Sequence, residues 1–229
     1  MNILAIETSG SSGTVALRHG ADNLQVNITV QQQQIACILE LIDELLQRCQ
    51  LQIQDLDYLA FSAGPGSFTG IRIAFGVIQG IALATNKPVL AISSLQTLAQ
   101  TSWRLLQQTR VIPVMNAYMD QVYWGCYQVD MQGIMQPFQP DQVSAPDVVT
   151  VPANESYFGI GNAWQVYAEQ IPPAAHQALI QCDTTITPQA YDLLTLAQVA
   201  AQEGAAKPID DIAPYYLRDK TAWRKIATK

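Results

Sequence analysis

The sequence predicts a duplicated α/β fold of two lobes, and three observations carry that expectation. Each half of the chain opens with three strand-like runs. The first half then alternates strands and helices in the order βββαβαβα. The pattern restarts near Val111. With 229 residues the chain has room for one or two compact domains. The division falls into an N-terminal lobe, 1–109, and a smaller C-terminal lobe, 110–229, that ends in an irregular basic tail.

In the first half, Ile3 to Glu7, Thr14 to Arg18 and Asn23 to Thr29 are apolar or β-branched and are separated by Gly/Ser and Gly-Ala-Asp-Asn turns, which is a three-strand meander. The period then changes. Ile35, Ile38, Leu39, Ile42, Leu45 and Leu46 recur at spacings of three and four, an amphipathic helix over about Gln33 to Arg48. "DYLAFSA" is a short buried strand, followed by a glycine turn and a helix up to Ala84 whose only charge is Arg72. "KPVLAIS" is the next buried strand, and Ser93 or Ser94 caps the helix after it. In the second half "VIPVMNA" and "QVYWGCYQV" are strands, and a turn at Asp130 to Gly133 leads into a third. "YFGIGNAWQVYAEQ" reads as strand, glycine turn and short helix. "TPQAYDLLTLAQVAAQEG" is a helix with Thr187 as its cap and Gly204 at its end. Tandem lobes of this kind match the ribonuclease-H-like duplicate shared by actin, sugar kinases and heat-shock chaperone ATPases (the ASKHA class), a link of fold alone.

Composition narrows the function classes. Hydrophobic residues are 49% and charged residues 14%, so the chain buries a real core. A net charge of −7 argues against a domain that grips nucleic acid by itself. The exception is the tail, where Arg218, Lys220, Arg224, Lys225 and Lys229 are five of the twelve basic residues. It reads either as a solvated segment or as a contact for an acidic partner or RNA. Cys37, Cys49, Cys126 and Cys182 are scattered, and no secretory signal precedes the first strand. The low-charge run Gly70 to Thr85 falls short of the roughly 18 to 20 residues that span a bilayer. A cytoplasmic protein with free thiols and no membrane contact is expected.

Two constellations carry candidate chemistry. The polar hairpin "ETSGSSGTVAL" places Glu7, Thr8, Ser9, Ser11 and Ser12 where a phosphate or nucleotide could be cradled, with Glu7 able to position Mg²⁺ or a water; a plain Gly/Ser hairpin turn is the structural alternative. "AGPGSFTG" lacks the lysine of a phosphate-binding loop. In the helix behind it, Gly76, Gly80 and Ala84 share one stripe, which invites close approach of another backbone, either the chain's own sheet or another subunit. His19 and His176 are isolated, so neither a metal motif nor a Ser/His/Asp set is visible.

The segments "NILAIETSGSSGTVAL", "SAGPGSFTGIRIAFGVIQGIA", "KPVLAISSLQTLA" and "PYYLRDKTAW" resemble the TsaB family, also called YeaZ, over essentially the whole chain. The resemblance implies a non-catalytic scaffold in making N6-threonylcarbamoyladenosine at position 37 of tRNA. It implies pairing with the catalytic paralogue TsaD, recruitment of the ATPase TsaE with nucleotide, a homodimer in isolation, and contact with tRNA through the complex. No metal is implied, and the only cofactor would be ATP or ADP with Mg at a complex interface. The metal-motif positions of TsaD fall here on Ser94 and Leu98, and "FGIGNAW" is at best a remnant of the glycine-rich nucleotide loop in its second lobe. Departures from the family are Gln34, where many relatives have histidine, and Asn116 and Tyr118, where many have Asp and Arg. The partner surface is expected on the helices at 33–48 and 69–84, through Ile35, Ile38, Ile42, Ile71, Ala74, Val77, Ile78 and Ile81, some of which must face the chain's own sheet. Rival readings are an actin-like ATPase or phosphotransferase using Glu7 and the hairpin, and a metallopeptidase.

Overall fold

A computed structural model describes residues 1–28, 35–152 and 155–217, with the backbone alone at Ile35 and Ala36. Gln33, Gln34, the side chain of Ile35 and the tail from Arg218 therefore lie outside the described residues.

The first sheet contains β1 (Asn2–Glu7), β2 (Gly13–His19), β3 (Asp22–Ile28), β4 (Tyr58–Gly64) and β5 (Val89–Ser93), in the order β3-β2-β1-β4-β5. β1 pairs antiparallel with β2 and parallel with β4. The second sheet contains β6 (Arg110–Tyr118), β7 (Gln121–Val129), β8 (Met135–Ser144), β9 (Tyr157–Ile160) and β10 (Leu179–Asp183). Read from β8, its order is β8-β7-β6-β9-β10, which repeats the first sheet strand for strand. This is the duplicated two-lobe α/β fold that the sequence predicts. β1 and β4 are buried on both faces, which is why they read as unbroken apolar runs. The proline-bearing "QPFQP" lies in β8, an edge strand where a missing N–H costs nothing.

The helices are α1 (Ile35–Arg48), α2 (Phe68–Thr85), α3 (Ser94–Leu106), the short α4 (Ala163–Val166) and α5 (Pro173–Gln177), and α6 (Ala190–Gln202). α1 and α2 bury their apolar stripes on one face of the first sheet, around Leu4, Ile6, Leu59 and Phe61. The Ser67 hydroxyl caps α2 by accepting from Gly70 N at 3.2 Å, and left-handed Asn86 ends it. Between the two serines open as caps of α3, the structure selects Ser93, whose hydroxyl accepts from Gln96 N at 3.2 Å. By length and composition alone α2 is apolar enough to cross a membrane, but its Ile71, Ala74 and Ile78 side is buried in the protein.

The last helix of each half packs on the other half's sheet. α6 lays Leu193, Leu194 and Ala197 on Ile3, Ala5 and Ala60 of the first sheet. α3 lays Leu95, Leu98 and Ala99 on Val111, Met115 and Ile160 of the second. Chain order counts Ala190–Gln202 with the segment 110–229, yet the helix completes the core of the first sheet. Its N–H groups find partners there too. Ala190 N donates to Thr14 Oγ1 at 2.7 Å and Tyr191 N to Gln25 Oε1 at 2.8 Å. Thr187, expected as the cap, instead bonds the Ser12 hydroxyl at 2.9 Å. Between the exchanged helices Arg104 makes a bidentate pair with buried Asp192, at 2.8 and 2.9 Å. Breaking such a buried pair leaves an uncompensated charge, so the contact fixes how the two helices sit.

Candidate functional site

The polar hairpin and the glycine turn, singled out separately in the sequence, meet in the structure. Ser67 N donates to Ser9 O at 2.8 Å, and the Thr8 hydroxyl donates to Gly70 O at 2.6 Å. The glycines permit this. A Cβ on Gly66 would come within 2.5 Å of Ser9 O, and one on Gly70 would overlap the Thr8 carbonyl oxygen outright. Gly64, at φ +114°, has the Tyr215 backbone where a Cβ would go. Thus the glycines of "GPGSFTG" serve close packing against backbone, Gly66 and Gly70 on the first hairpin and Gly64 on Tyr215.

The five hairpin residues proposed for phosphate or nucleotide lie together, but most of their groups are already engaged. Glu7 is fully buried at the end of β1. Its Oε1 accepts from Ser9 N at 2.5 Å and from the Ser9 hydroxyl at 2.6 Å, and its Oε2 accepts from the Ser62 hydroxyl. Burial pushes the Glu7 carboxyl from 4.5 up to about 7, against the pull of the Ser9 and Gly10 bonds. A carboxyl so enclosed holds the hairpin to β4. The Thr8 and Ser12 hydroxyls are bonded to Gly70 and Thr187, and Ser11 is exposed. The cavity beside them, lined by Thr8, Gly10, Ser12, Ser67 and Thr69, measures about 80 Å³. Ligand pockets for nucleotide-sized molecules run to several hundred Å³, roughly 300 or more.

The expected partner residues are corrected by burial. Ile38, Ile42, Ile71, Ala74, Val77, Ile78 and Ile81 are all buried within this chain, none exposed above 6%. All but Ile71 belong to the apolar core that α1 and α2 build on the chain's own sheet. The opposite face of α2 exposes Gly76, Gln79, Gly80, Leu83 and Ala84. Leu83 is 65% exposed, and a Cβ on Gly76 or Gly80 would meet nothing within 4 Å among the described residues. The described part of the α1 solvent face is polar instead, with Glu40, Asp43, Glu44 and Gln47 beside exposed Leu39.

Ser94 and Leu98 are both buried at the start of α3, and Leu98 belongs to the apolar core that α3 builds on the second sheet. No group of three or more His, Cys, Asp or Glu that could hold a metal occurs among the described residues. The "GIGNAW" turn is filled by its own chain. Gly161, at φ +99°, lies against the Val114 carbonyl, Asn162 Oδ1 accepts from Asn116 N at 3.0 Å, and Trp164 Nε1 donates to Ile112 O at 3.1 Å. Asn116 in turn accepts from Tyr118 N at 2.7 Å and from the Tyr167 hydroxyl at 3.1 Å.

Sequence reading missed one cluster. Asp141 accepts from the Ser93 hydroxyl at 2.5 Å and from the Tyr127 hydroxyl, so β7, β8 and the cap of α3 are joined at the lobe junction. Burial raises both the Asp141 carboxyl and, well above its ordinary value, the Tyr127 hydroxyl. Nothing in the spacing of three distant polar residues signals that they meet.

Comparison with known proteins agrees with this architecture. A family model described as "TsaD: tRNA N6-adenosine threonylcarbamoyltransferase" matches residues 29–226. The "tRNA threonylcarbamoyladenosine biosynthesis protein TsaB" of Escherichia coli K12 is 32% identical over 234 residues, covering 100% of both chains. Its namesake from Haemophilus influenzae is 31% identical, covering 99% of this chain and 97% of its own. The solved structure "YeaZ from Pseudomonas aeruginosa" superposes with a TM-score of 0.87 at 37% identity, covering 94% of this chain and 99% of the other.

Proposed function

Since the chain belongs to the TsaB (YeaZ) family, we propose that it acts in tRNA threonylcarbamoyladenosine biosynthesis as a non-catalytic partner of TsaD. The single observation that carries the reading is the open space over Gly76 and Gly80. A glycine inside a helix costs about 1 kcal/mol relative to alanine. Among the described residues nothing approaches either glycine closely enough to need the missing side chain. A second backbone, laid along the solvent face of α2, gives both glycines a use. TsaD is that partner on this reading, and in its absence a second copy of the chain takes the same face. Recruitment of TsaE, with ATP or ADP and Mg at the junction, belongs to the assembled complex.

The chemistry of the hairpin supports a scaffold rather than the ATPase reading, because Glu7 is enclosed and its oxygens are bonded to serines. The buried Ser94 and Leu98 likewise offer no ligand pair for a metallopeptidase. The test is Gly80→Arg, assayed for co-purification with TsaD and for tRNA modification by the reconstituted mixture. Loss of the complex and of modification, with the variant's own melting temperature unchanged or higher, is the expected outcome. Retention of both sinks the proposal.

A further inference from the structure

Neither the hairpin nor the glycine face of α2 uses the cavity at that helix's far end. It measures about 310 Å³, the volume of roughly ten waters. One wall is the end of α2 with Leu83 and Lys87, and the other is the stretch after α6 with Lys207 and Asp210. Two backbone bonds hold the walls together. Val89 N donates to Lys207 O at 2.8 Å, and Lys207 N donates to Val89 O at 3.0 Å. Ala82 and Ile209 line the cavity from the buried core, so its floor is apolar and its charges lie at the rim.

The rim stands out against the charge of the chain. Residues 1–217 hold eighteen acidic residues, five arginines and two lysines, and both lysines line this cavity. Arg48, Arg104 and Arg110 are each in an ion pair with a carboxylate, and Arg72 lies over the Phe68 ring. Among the described residues neither lysine is in an ion pair. The negative end of the α2 dipole accounts for a cation at Lys87. It gives no use to a second, which the bridge to β5 brings in from beyond α6. Two cations against the single carboxylate of Asp210, in a body of net negative charge, attract an anionic group.

The cavity is continuous with the solvent face of α2, because Leu83, 65% exposed, belongs to both. Lys87 follows Gly80 by seven residues, about 10 Å along the helix. A backbone laid over Gly76 and Gly80 therefore reaches the cavity within two turns. We propose that the cavity receives an aspartate or glutamate side chain of the protein that packs along α2, its stem on the apolar floor and its carboxylate held by Lys87 and Lys207. The proposal rests on the reading of α2 as the pairing face and adds a basis for partner choice. A second copy brings α2 itself to this place, and Phe68–Thr85 contains no Asp or Glu. The cavity thus favours a partner that carries a carboxylate at the contact over the chain's own copy.

The test is calorimetric titration of TsaD with the full-length chain at two salt concentrations, beside sedimentation of the chain alone. Lys87→Met with Lys207→Met removes both charges and keeps the apolar stems. It is expected to weaken TsaD binding about tenfold and to flatten its salt dependence, with melting temperature and self-association unchanged. Lys87→Glu with Lys207→Glu is expected to weaken binding about a hundredfold at low salt, and Lys87→Arg with Lys207→Arg to leave it near the parent's. Equal TsaD affinity in the parent and the doubly neutralised chain overturns the proposal. So does an equal loss of self-association, which would make the carboxylate the copy's own. Inorganic phosphate that raises the melting temperature of the parent alone, with TsaD affinity equal in both chains, assigns the cavity to a free anion and overturns it too. A neutralised chain that keeps TsaD while Gly80→Arg loses it leaves the pairing face standing without the cavity. A parent that does not bind TsaD ends both readings.

Discussion

Five glycines between Gly64 and Gly80 fall into two groups, and the difference lies in what a methyl group would meet. Gly64, Gly66 and Gly70 each have backbone of another segment at the Cβ position, while Gly76 and Gly80 have open space. The first group is explained inside the chain, by the packing of the turn on the Thr8–Ser12 hairpin and on Tyr215. The second group is not. One stretch therefore serves intramolecular packing at its start and, on the proposed reading, intermolecular packing further on.

The largest effects on stability are expected where the packing of α2 inside the chain is broken. Gly70→Ala places a methyl on the Thr8 carbonyl, which is backbone and cannot rotate away. Overpacking of this kind costs about 3 kcal/mol or more, and in a chain of this size that lowers the melting temperature by roughly 10 °C. Ala74→Arg, on the buried face of α2, is expected to be worse still, because Ala74 is 0% exposed in the core against the first sheet. Thermal denaturation followed by circular dichroism checks both. A Gly70→Ala protein as stable as the parent would erase the distinction between the two groups.

How much of this was legible depends on which physical signal each feature leaves in a sequence. The duplication was readable because strand and helix periods restart near Val111, and the two sheets repeat one strand order. The two faces of α2 were not. Ile71, Ala74 and Ile78 recur at helical spacing, and so do Gly76, Gly80 and Ala84, so an almost uncharged helix offers no polar side to orient it. The larger residues of that helical pattern form the core. The apolar stripe of α6 was equally visible, but a stripe says that a face is buried and not on which sheet. Nor could the hairpin serines be told apart in use. A hydroxyl kept for a ligand and one bonded to Glu7 look the same in sequence.

The hairpin side of the comparison is sharpened by pH. The Glu7 carboxyl is raised by burial from 4.5 to about 7, so the folded state holds its proton where the unfolded chain has released it. The resulting stabilisation is fully present below pH 4.5 and is lost as pH rises through about 7. The linkage is worth at most about 3 kcal/mol over that window. Glu7→Gln cannot titrate. The difference in melting temperature between parent and variant, measured at pH 5 and again at pH 8, is expected to move in the variant's favour at the higher pH. A difference independent of pH would mean that Glu7 stays charged at its place among Ser9 and Ser62.

The smallest effect on stability is the one that decides most about the second group. Gly76→Ala with Gly80→Ala adds two methyls over open space and removes two flexible positions from a helix interior. Each replacement is worth about 0.5 to 1 kcal/mol of stability, largely through the entropy of the unfolded chain. If the glycines had only an intramolecular role, the doubly substituted chain would be more stable and otherwise unchanged. If they admit a second backbone, the same methyls stand between two helices. Stability then rises while association with TsaD, or self-association when TsaD is absent, weakens. Calorimetric melting and sedimentation on the same sample read the two quantities together. Opposite movement is the outcome expected of a surface whose cost to the monomer is recovered in the complex, and parallel movement would return Gly76 and Gly80 to the chain's own account.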